Sequence, residues 1–424
     1  MNGRSTQRPG HLALPAAGAS LGFAQSVLIS LMPVLVETSG LGLGALGLVI
    51  AAGTATLALC APLWGRAGDR HGALQPLRLA LAGLVVAHGV FGAVVLAAAH
   101  GLHPAGVLAG LLVARLLHGL CAGGVVPLVQ AATAALTDAG ARLGGFARLS
   151  MAQNLARLLG FGATAALVPL APLAPLALLP LASLGARFAL PRRRPASHSA
   201  AAPPAPTQPR QPGFLRSREA LVALCMGGAL GAVQHTGGMM LVDRLGLDSA
   251  GAARLLAMAL MVTALSSAGL QLGLGRTRLT PDRVRVVAAA AMGAAAVTGC
   301  LWTAALVPAL VVFGTAATAL ATANSTAASL RAAQGVGRRV GGIASAQTAG
   351  YALGAVGGGF VYALGPTVPL ALSAGCLLPA GIGAATALRH ARRQEAPGAW
   401  TDDGAGSGPQ SSPRSLAGPP TGTP

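Results

Sequence analysis

Apolar residues in this chain occur in long runs that are separated by short segments rich in Gly, Pro or charge. A helix needs about 20 mostly apolar residues to cross a bilayer, and each run reaches about that length. The predicted spans are 13–36, 44–64, 77–99, 105–127, 148–169, 172–189, 219–242, 251–274, 284–304, 307–330, 340–363 and 367–388. Because lipid excludes irregular backbone, the pattern predicts an all-α polytopic membrane protein of about 12 helices with short loops.

Stretches of different composition divide this pattern. Residues 190–218 are rich in Pro, Ala and Arg and cannot span a membrane, so they are predicted to form a solvated cytoplasmic linker. Residues 389–424 are rich in Gly, Ser and Pro, which is typical of a disordered tail. The sequence therefore predicts a short tail at 1–12 and two helical bundles, at 13–189 and 219–388.

An internal repeat relates the two predicted bundles. Residues 142–147, Arg-Leu-Gly-Gly-Phe-Ala, resemble residues 339–344, Arg-Val-Gly-Gly-Ile-Ala, at an offset of 197 residues. The same offset carries Pro169 onto Pro366 without a gap. Chance similarity in an Ala/Gly-rich sequence is the alternative, and the aligned prolines argue against it. The two bundles are therefore predicted to be pseudo-symmetric, with six helices each.

Composition and charge place these helices in a membrane. Hydrophobic residues make up 53% of the chain and charged residues 9%, with a mean hydropathy of +0.65, so there is too little polar surface for a soluble globule. The net charge of +19 comes from arginines in alternate loops, with an exception around Arg244 and Arg254. This asymmetry predicts that both termini are cytoplasmic, and it argues against nucleic acid as a partner.

The cysteines give no sign of a metal or redox site. All 5 lie singly inside apolar runs, without Cys-x-x-Cys spacing. We expect them to pack as small apolar residues, with no metal, disulfide or cofactor.

A charged segment follows the second apolar run. Gly65 and Gly72 would allow a tight turn, Asp69 can accept hydrogen bonds from a helix N-terminus, and Arg70 can remain at the headgroup level. This spacing resembles the Gly-x-x-x-Asp-Arg-x-Gly motif between the second and third helices of the major facilitator superfamily. The basic pair that follows in that family is absent. The resemblance implies a gating role for these residues and a fold of two six-helix bundles around a central site.

Arg115 lies inside the fourth apolar run, and His118 and Gly119 share its helical face. The arrangement resembles that of the superfamily's proton antiporters, which have Gln at the position of His118. The Gly-Pro motif of their fifth helix is absent here. Because a midplane arginine costs about 3 kcal/mol on insertion scales, we expect it to face a cavity. Arg115 would sense protonation or hold an anionic substrate there; the alternative is a structural arginine bonded to backbone carbonyls.

Other polar residues within the runs are further candidates for proton coupling or the substrate cavity. They are Gln25, Asn154, Arg157, Gln234, His235, Glu37 and Asp243. Each can line a cavity or simply bond a neighbouring helix, and the two carboxylates are placed at the outer ends of their spans.

The resemblance to the drug:proton antiporter branch implies a proton-coupled efflux pump of the bacterial inner membrane. Its partners would be protons, the bilayer and small amphiphilic or anionic molecules, such as drugs or metal-chelating metabolites of the siderophore kind. We expect a monomer. An uptake permease for a small metabolite is the alternative within transport. A polytopic membrane enzyme is a third possibility, but it would need a cluster of His, Asp and Glu that the sequence lacks.

Overall fold

The computed structural model describes residues 13–136, 142–191, 217–274, 276, 279–330 and 336–378, and the part of the chain so described contains no strand. Its helices are α1 Ala13–Ser30, α2 Met32–Ser39, α3 Leu43–His71, α4 Leu74–Ala99, α5 Pro104–Leu136, α6 Arg142–Leu167, α7 Ala174–Ala189, α8 Arg218–Leu245, α9 Ser249–Leu274, α10 Pro281–Leu301, α11 Leu306–Leu330, α12 Val336–Val361 and α13 Val368–Leu378. The all-α prediction is confirmed.

The helices follow the predicted spans closely, with one division that the pattern did not show. The first span is broken at Leu31 into α1 and α2, because Pro33 near the start of α2 has no N–H to continue the helical ladder. The last predicted span is described as far as Leu378. The predicted tails, and the linker between residues 191 and 217, lie outside the described residues.

The motif between the second and third spans is helical over most of its length. α3 continues to His71, so Gly65 lies inside a helix and the prediction that it forms part of the turn is wrong. Gly72 alone makes the turn, with φ +74°, a conformation that favours glycine. Asp69 and Arg70 are exposed on the last turn of α3. The motif is therefore a charged helix end followed by a turn.

Eight of the described helices are long and apolar enough to cross a membrane: α1, α3, α4, α5, α8, α9, α10 and α11. α6 and α12, which contain the two copies of the sequence repeat, have the length but are less apolar than these eight helices. We call α1–α7 the first half and α8–α13 the second half. Each of these two helices packs against a mostly buried helix of its own half, α6 against α1 and α12 against α8. The chain is thus a multi-pass membrane protein whose two less apolar helices lie at equivalent places.

The arginine that breaks the loop pattern has a structural partner. Arg244, on the last turn of α8, donates to the backbone oxygen of Gly299 and to Thr303 Oγ1, the latter at 2.8 Å. These bonds tie the end of α8 to the end of α10 within the second half. Its position therefore follows from packing rather than from membrane orientation.

The orientation can be tested with a matched pair of exposed leucines. Leu102 lies in the loop between α4 and α5 and Leu279 in the loop between α9 and α10. In a cysteine-free background, we expect Leu102→Cys to react with an impermeant maleimide added to intact cells, whereas Leu279→Cys should react only after the membrane is opened. The physical reason is that the arginines beside Leu279 favour the cytoplasmic face. The reverse labelling pattern would contradict the orientation.

Candidate functional site

Four side chains converge where the two halves meet. Arg115 of α5 and Arg157 of α6 both interact electrostatically with Tyr351 of α12. Arg157 Nη2 donates to Gln25 Oε1 of α1 at 3.4 Å. We call Gln25, Arg115, Arg157 and Tyr351 the central polar site. Three of its members come from the first half and Tyr351 comes from the second, so the site depends on how the halves are placed.

Two glycines make room for the side chains of Arg157 and Arg115. A Cβ at Gly22 of α1 would lie 2.7 Å from the backbone oxygen of Gln153 and 3.3 Å from Arg157 Cγ. A Cβ at Gly53 of α3 would lie 3.2 Å from Arg115 Nε. The close helix approach therefore places each arginine stem against a neighbouring backbone.

The central polar site opens toward the space between the halves. Gln25 is the one residue of α1, all of which is described, whose side chain is exposed. Arg157 and Asn154, on the facing helix α6, are also exposed, whereas Arg115 and Tyr351 are half-buried. An exposed position on an otherwise enclosed helix indicates a cavity with polar walls.

No carboxylate pairs with the arginines of the central polar site among the described residues. Arg115 Nε is buried and has no hydrogen-bond partner in the same part of the chain. Unpaired guanidinium groups at membrane depth are costly and favour an anionic partner. The central polar site is accordingly electropositive and suited to an anion.

The two predicted partners of Arg115, which lie on the same helix as Arg115, contact two different neighbouring helices. Gly119 packs against α3, where a Cβ would lie 2.3 Å from the backbone oxygen of Gly53. His118 instead turns toward α4, and its ring lies 5.2 Å from that of His88, centroid to centroid, at 44°. His88 could not be selected from the sequence, because a lone histidine in an apolar run shows no spacing to its partner on another helix.

Several contacts between the halves lie at the end of the bundle formed by the start of α3 and the end of α12, which we call the closed end. His235 Nε2 of α8 donates to the backbone oxygen of Leu43 at 2.7 Å. Ser249 Oγ of α9 donates to Glu37 Oε2 of α2. A Cβ at Gly47 would lie 2.6 Å from the backbone oxygen of Ala355. Two predicted site residues, His235 and Glu37, thus join the halves away from the central polar site.

The remaining predicted candidates lie apart from these contacts. Asp243 is exposed near the closed end, where it accepts a hydrogen bond from Tyr362 Oη at 2.6 Å. Burial and this carboxylate raise the pKa of the Tyr362 hydroxyl, so it remains a donor. Gln234 is half-buried on α8. The structure therefore joins Arg157 to Gln25 and places both Arg157 and Arg115 within electrostatic reach of Tyr351, whereas Asp243 lies elsewhere.

A buried charged network in the second half was not predicted. Arg285, at the start of the predicted span 284–304, lies in α10 and is 2% exposed. It contacts Glu219 Oε1 at 3.8 Å, binds Asp282, and donates to Asn324 Oδ1 at 3.3 Å. Asn324 in turn donates to the backbone oxygen of Glu219 at 2.8 Å. The network ties α8, α10 and α11 together, and its charges are paired.

The sequence and fold have known relatives. The family model described as Major Facilitator Superfamily matches residues 16–336. No curated protein matches the sequence. Similar solved structures include a peptide transporter POT, with a TM-score of 0.70, 15% identity and coverage of 92% of this chain and 97% of that one.

Two further structures resemble the chain over comparable lengths. A bacterial homologue of the human lysosomal transporter Spinster, inward-facing and unoccupied, has a TM-score of 0.65 and 14% identity, with coverage of 92% and 98%. The human organic anion transporter MFSD10 (TETRAN) has a TM-score of 0.61 and 20% identity, with coverage of 90% and 100%.

Proposed function

Because the chain belongs to the Major Facilitator Superfamily, whose members transport small molecules across membranes, we propose that it is a proton-coupled secondary transporter of small anionic or amphiphilic molecules. The observation that carries the proposal is that Arg115 and Arg157 each lie within electrostatic reach of Tyr351, without a carboxylate among the described residues to neutralise them. An anionic group could bind both guanidinium groups and accept the Tyr351 hydrogen.

The location of the central polar site supports alternating access. The site lies between the halves, and the described contacts of His235 and Glu37 close one end of the bundle. A rocking motion that breaks these contacts and forms new ones at the opposite end would expose the site to each side in turn. One of the similar structures, the Spinster homologue, is inward-facing. We propose that the conformation of this protein described above is inward-facing too.

The direction of transport has two candidates. The resemblance of the motif residues Asp69 and Arg115 to the drug:proton antiporter branch favours efflux, in which drugs or metal-chelating metabolites leave in exchange for protons. The nearness of His88 and His118 to Arg115 favours the second candidate, uptake of an anion together with a proton. In either case we propose a monomer in a bacterial inner membrane with both termini in the cytoplasm.

The proposal is tested with purified protein in proteoliposomes that enclose a pH-sensitive dye. A panel of radiolabelled anions, cations and neutral molecules is added under an imposed proton gradient, and substrate and proton movements are followed together. We expect anions to accumulate against their gradient, and the sign of the proton movement separates exchange from co-transport. A substrate range confined to cations would contradict the proposal.

Asp69 is expected to act as a gate in the outward-open state. Its exposed carboxylate lies at the end of α3, opposite the closed end, where rocking would bring helix N-termini of the other half near it. Such an interaction contributes about 0.3–1 kcal/mol, so Asp69→Asn should reduce turnover about two- to fivefold. Arg66→Gln, an exposed change on the same helix end, is the matched control. Equal transport by Asp69→Asn and wild type at equal expression would contradict the gating role.

A further inference from the structure

Two histidines that are far apart in the sequence meet in the middle of the first half. His88 lies in α4 and is 3% exposed; His118 lies in α5 and is half-buried. Their ring centroids are 5.2 Å apart. His88 Nε2 and His118 Nδ1 are both buried and have no hydrogen-bond partner among the described residues. The first half thus contains two adjacent imidazoles, each with an unsatisfied nitrogen.

The hydrogen bonds of His88 fix which nitrogen is free to take up a proton. Ser183 Oγ of α7 is 3.2 Å from the backbone oxygen of Leu179, which can only accept, so the hydroxyl hydrogen points there. His88 Nδ1, at 3.1 Å from Ser183 Oγ, must therefore be the donor in that contact. In the neutral ring this leaves a lone pair on Nε2, without a donor to satisfy it. The ring of His118 is adjacent, and no hydrogen bond joins the two rings in this conformation.

Two factors act on this proton, and burial of the rings is the larger of them; Arg115 is the second. Its guanidinium acts electrostatically on both rings. The other described charged groups on the packed helices lie toward helix ends or on α6: Arg78 on α4, Glu37 on α2, Arg66, Asp69 and Arg70 on α3, Arg187 on α7, Arg148 and Arg157 on α6. The cysteines Cys60 and Cys121 also lie on these helices, as thiols. No carboxylate among the described residues therefore offsets Arg115 at the two rings.

We infer that His88 and His118 form a shared proton site, and that a proton and an anion bind to the first half together. Without an anion, burial of the rings and repulsion by Arg115 together keep the pair neutral. When an anion neutralises Arg115, a proton from water binds the free lone pair of His88 Nε2 or His118 Nδ1. The inference rests on the proposed function, because it needs an anion at Arg115. It also gives the direction of coupling: the proton and the anion cross the membrane in the same direction.

The first experiment needs no substrate. Histidine ring nitrogens are labelled with ¹⁵N, and their spectra are followed from about pH 8 to about pH 5, the range in which an ordinary histidine titrates. His88→Gln and His118→Gln assign the two signals among the 9 histidines. In wild type we expect both rings to stay neutral. In Arg115→Gln the rings stay buried but lose the repulsion of the guanidinium, so both should take up a proton about one pH unit higher than in wild type.

The second experiment measures linkage with a defined probe. Salicylate, benzoate and a neutral analogue, benzyl alcohol, are added to the protein in weakly buffered nanodiscs, and pH is recorded. We expect an anion to cause uptake of on the order of one proton per protein, and the neutral analogue none. The uptake should disappear in His88→Gln and in His118→Gln. It should persist in His100→Gln, a change at an exposed loop histidine.

The outcomes separate this inference from the proposed function. Proton release on anion binding, or identical histidine titration in wild type and Arg115→Gln, would overturn the shared proton site. If neither these probes nor the transport panel contains an anion that binds, the proposed function fails, while the Arg115→Gln titration still decides the proton site. Joint titration in Arg115→Gln together with anion-driven proton uptake in wild type would support both.

Discussion

Arg115→Ala is expected to abolish accumulation of substrate against its gradient while leaving the protein folded in the membrane. Hydrogen bonds to charged groups contribute about 1.5–3 kcal/mol each, so loss of the guanidinium should weaken anion binding about 10- to 100-fold. Folding should be affected less, because removal of an uncompensated charge from membrane depth is favourable in itself. The measurement is pH-driven anion uptake in proteoliposomes, with binding followed in parallel.

The controls for Arg115→Ala separate charge from position. Arg115→Lys keeps the charge but loses the planar fork that binds an anion with two hydrogen bonds, so it should recover little. Arg254→Ala removes an exposed arginine from α9, outside the central polar site, and should transport like wild type. Full pH-driven transport in Arg115→Ala would contradict the proposed role of the central polar site.

The helices were predictable because lipid imposes a simple rule on the sequence. Each span must be apolar over about 20 residues, so the limits of most helices follow from composition alone. α6 and α12 depart furthest from this rule, and the sequence repeat had already marked them as equivalent. Arg115 was predictable for the same reason, since a charge inside an apolar run stands out.

The contacts between helices were harder to predict from the sequence. Nothing in the pattern placed Tyr351 within electrostatic reach of Arg115 and Arg157, which lie in the other half. His88 and His118 are on different helices, so their spacing along the chain carries no information. Arg285 lies at the start of its predicted span, where a charged residue usually faces water. Its pairing with Glu219 depends on three helices meeting, which only the fold shows.

Small residues determine which helices can approach, and the interface of α8 with α12 shows this most directly. A Cβ at Gly350 would lie 2.1 Å from the backbone oxygen of Leu224, and one at Gly231 would lie 2.2 Å from the backbone oxygen of Tyr351. Because Tyr351 belongs to this interface, the close packing of α12 on α8 also fixes its position in the central polar site. Stability and function therefore depend on the same pair of helices.

Gly354→Ala is expected to destabilise the protein strongly, whereas Gly357→Ala should not. A Cβ at Gly354 would lie 1.9 Å from the backbone oxygen of Gly228 and 2.8 Å from its Cα, so the helices must separate. Overpacking costs about 1–3 kcal/mol, and more where backbone rather than a side chain must shift. Gly357, on the same helix, has no heavy atom within 4 Å of an added Cβ. Alanine there should be neutral or slightly stabilising, because glycine is the poorer helix former.

The stabilities of the two variants are compared by heating each protein in detergent and then measuring the remaining monodisperse peak by size-exclusion chromatography. Gly354→Ala should lose its monodisperse peak at a clearly lower temperature than wild type, and Gly357→Ala should retain it. Because α12 carries Tyr351, the Gly354→Ala protein that remains folded should also bind the anionic probe more weakly. Equal stability of the two variants would show that α8 and α12 do not pack this closely, and the placement of Tyr351 beside the two arginines would lose its support.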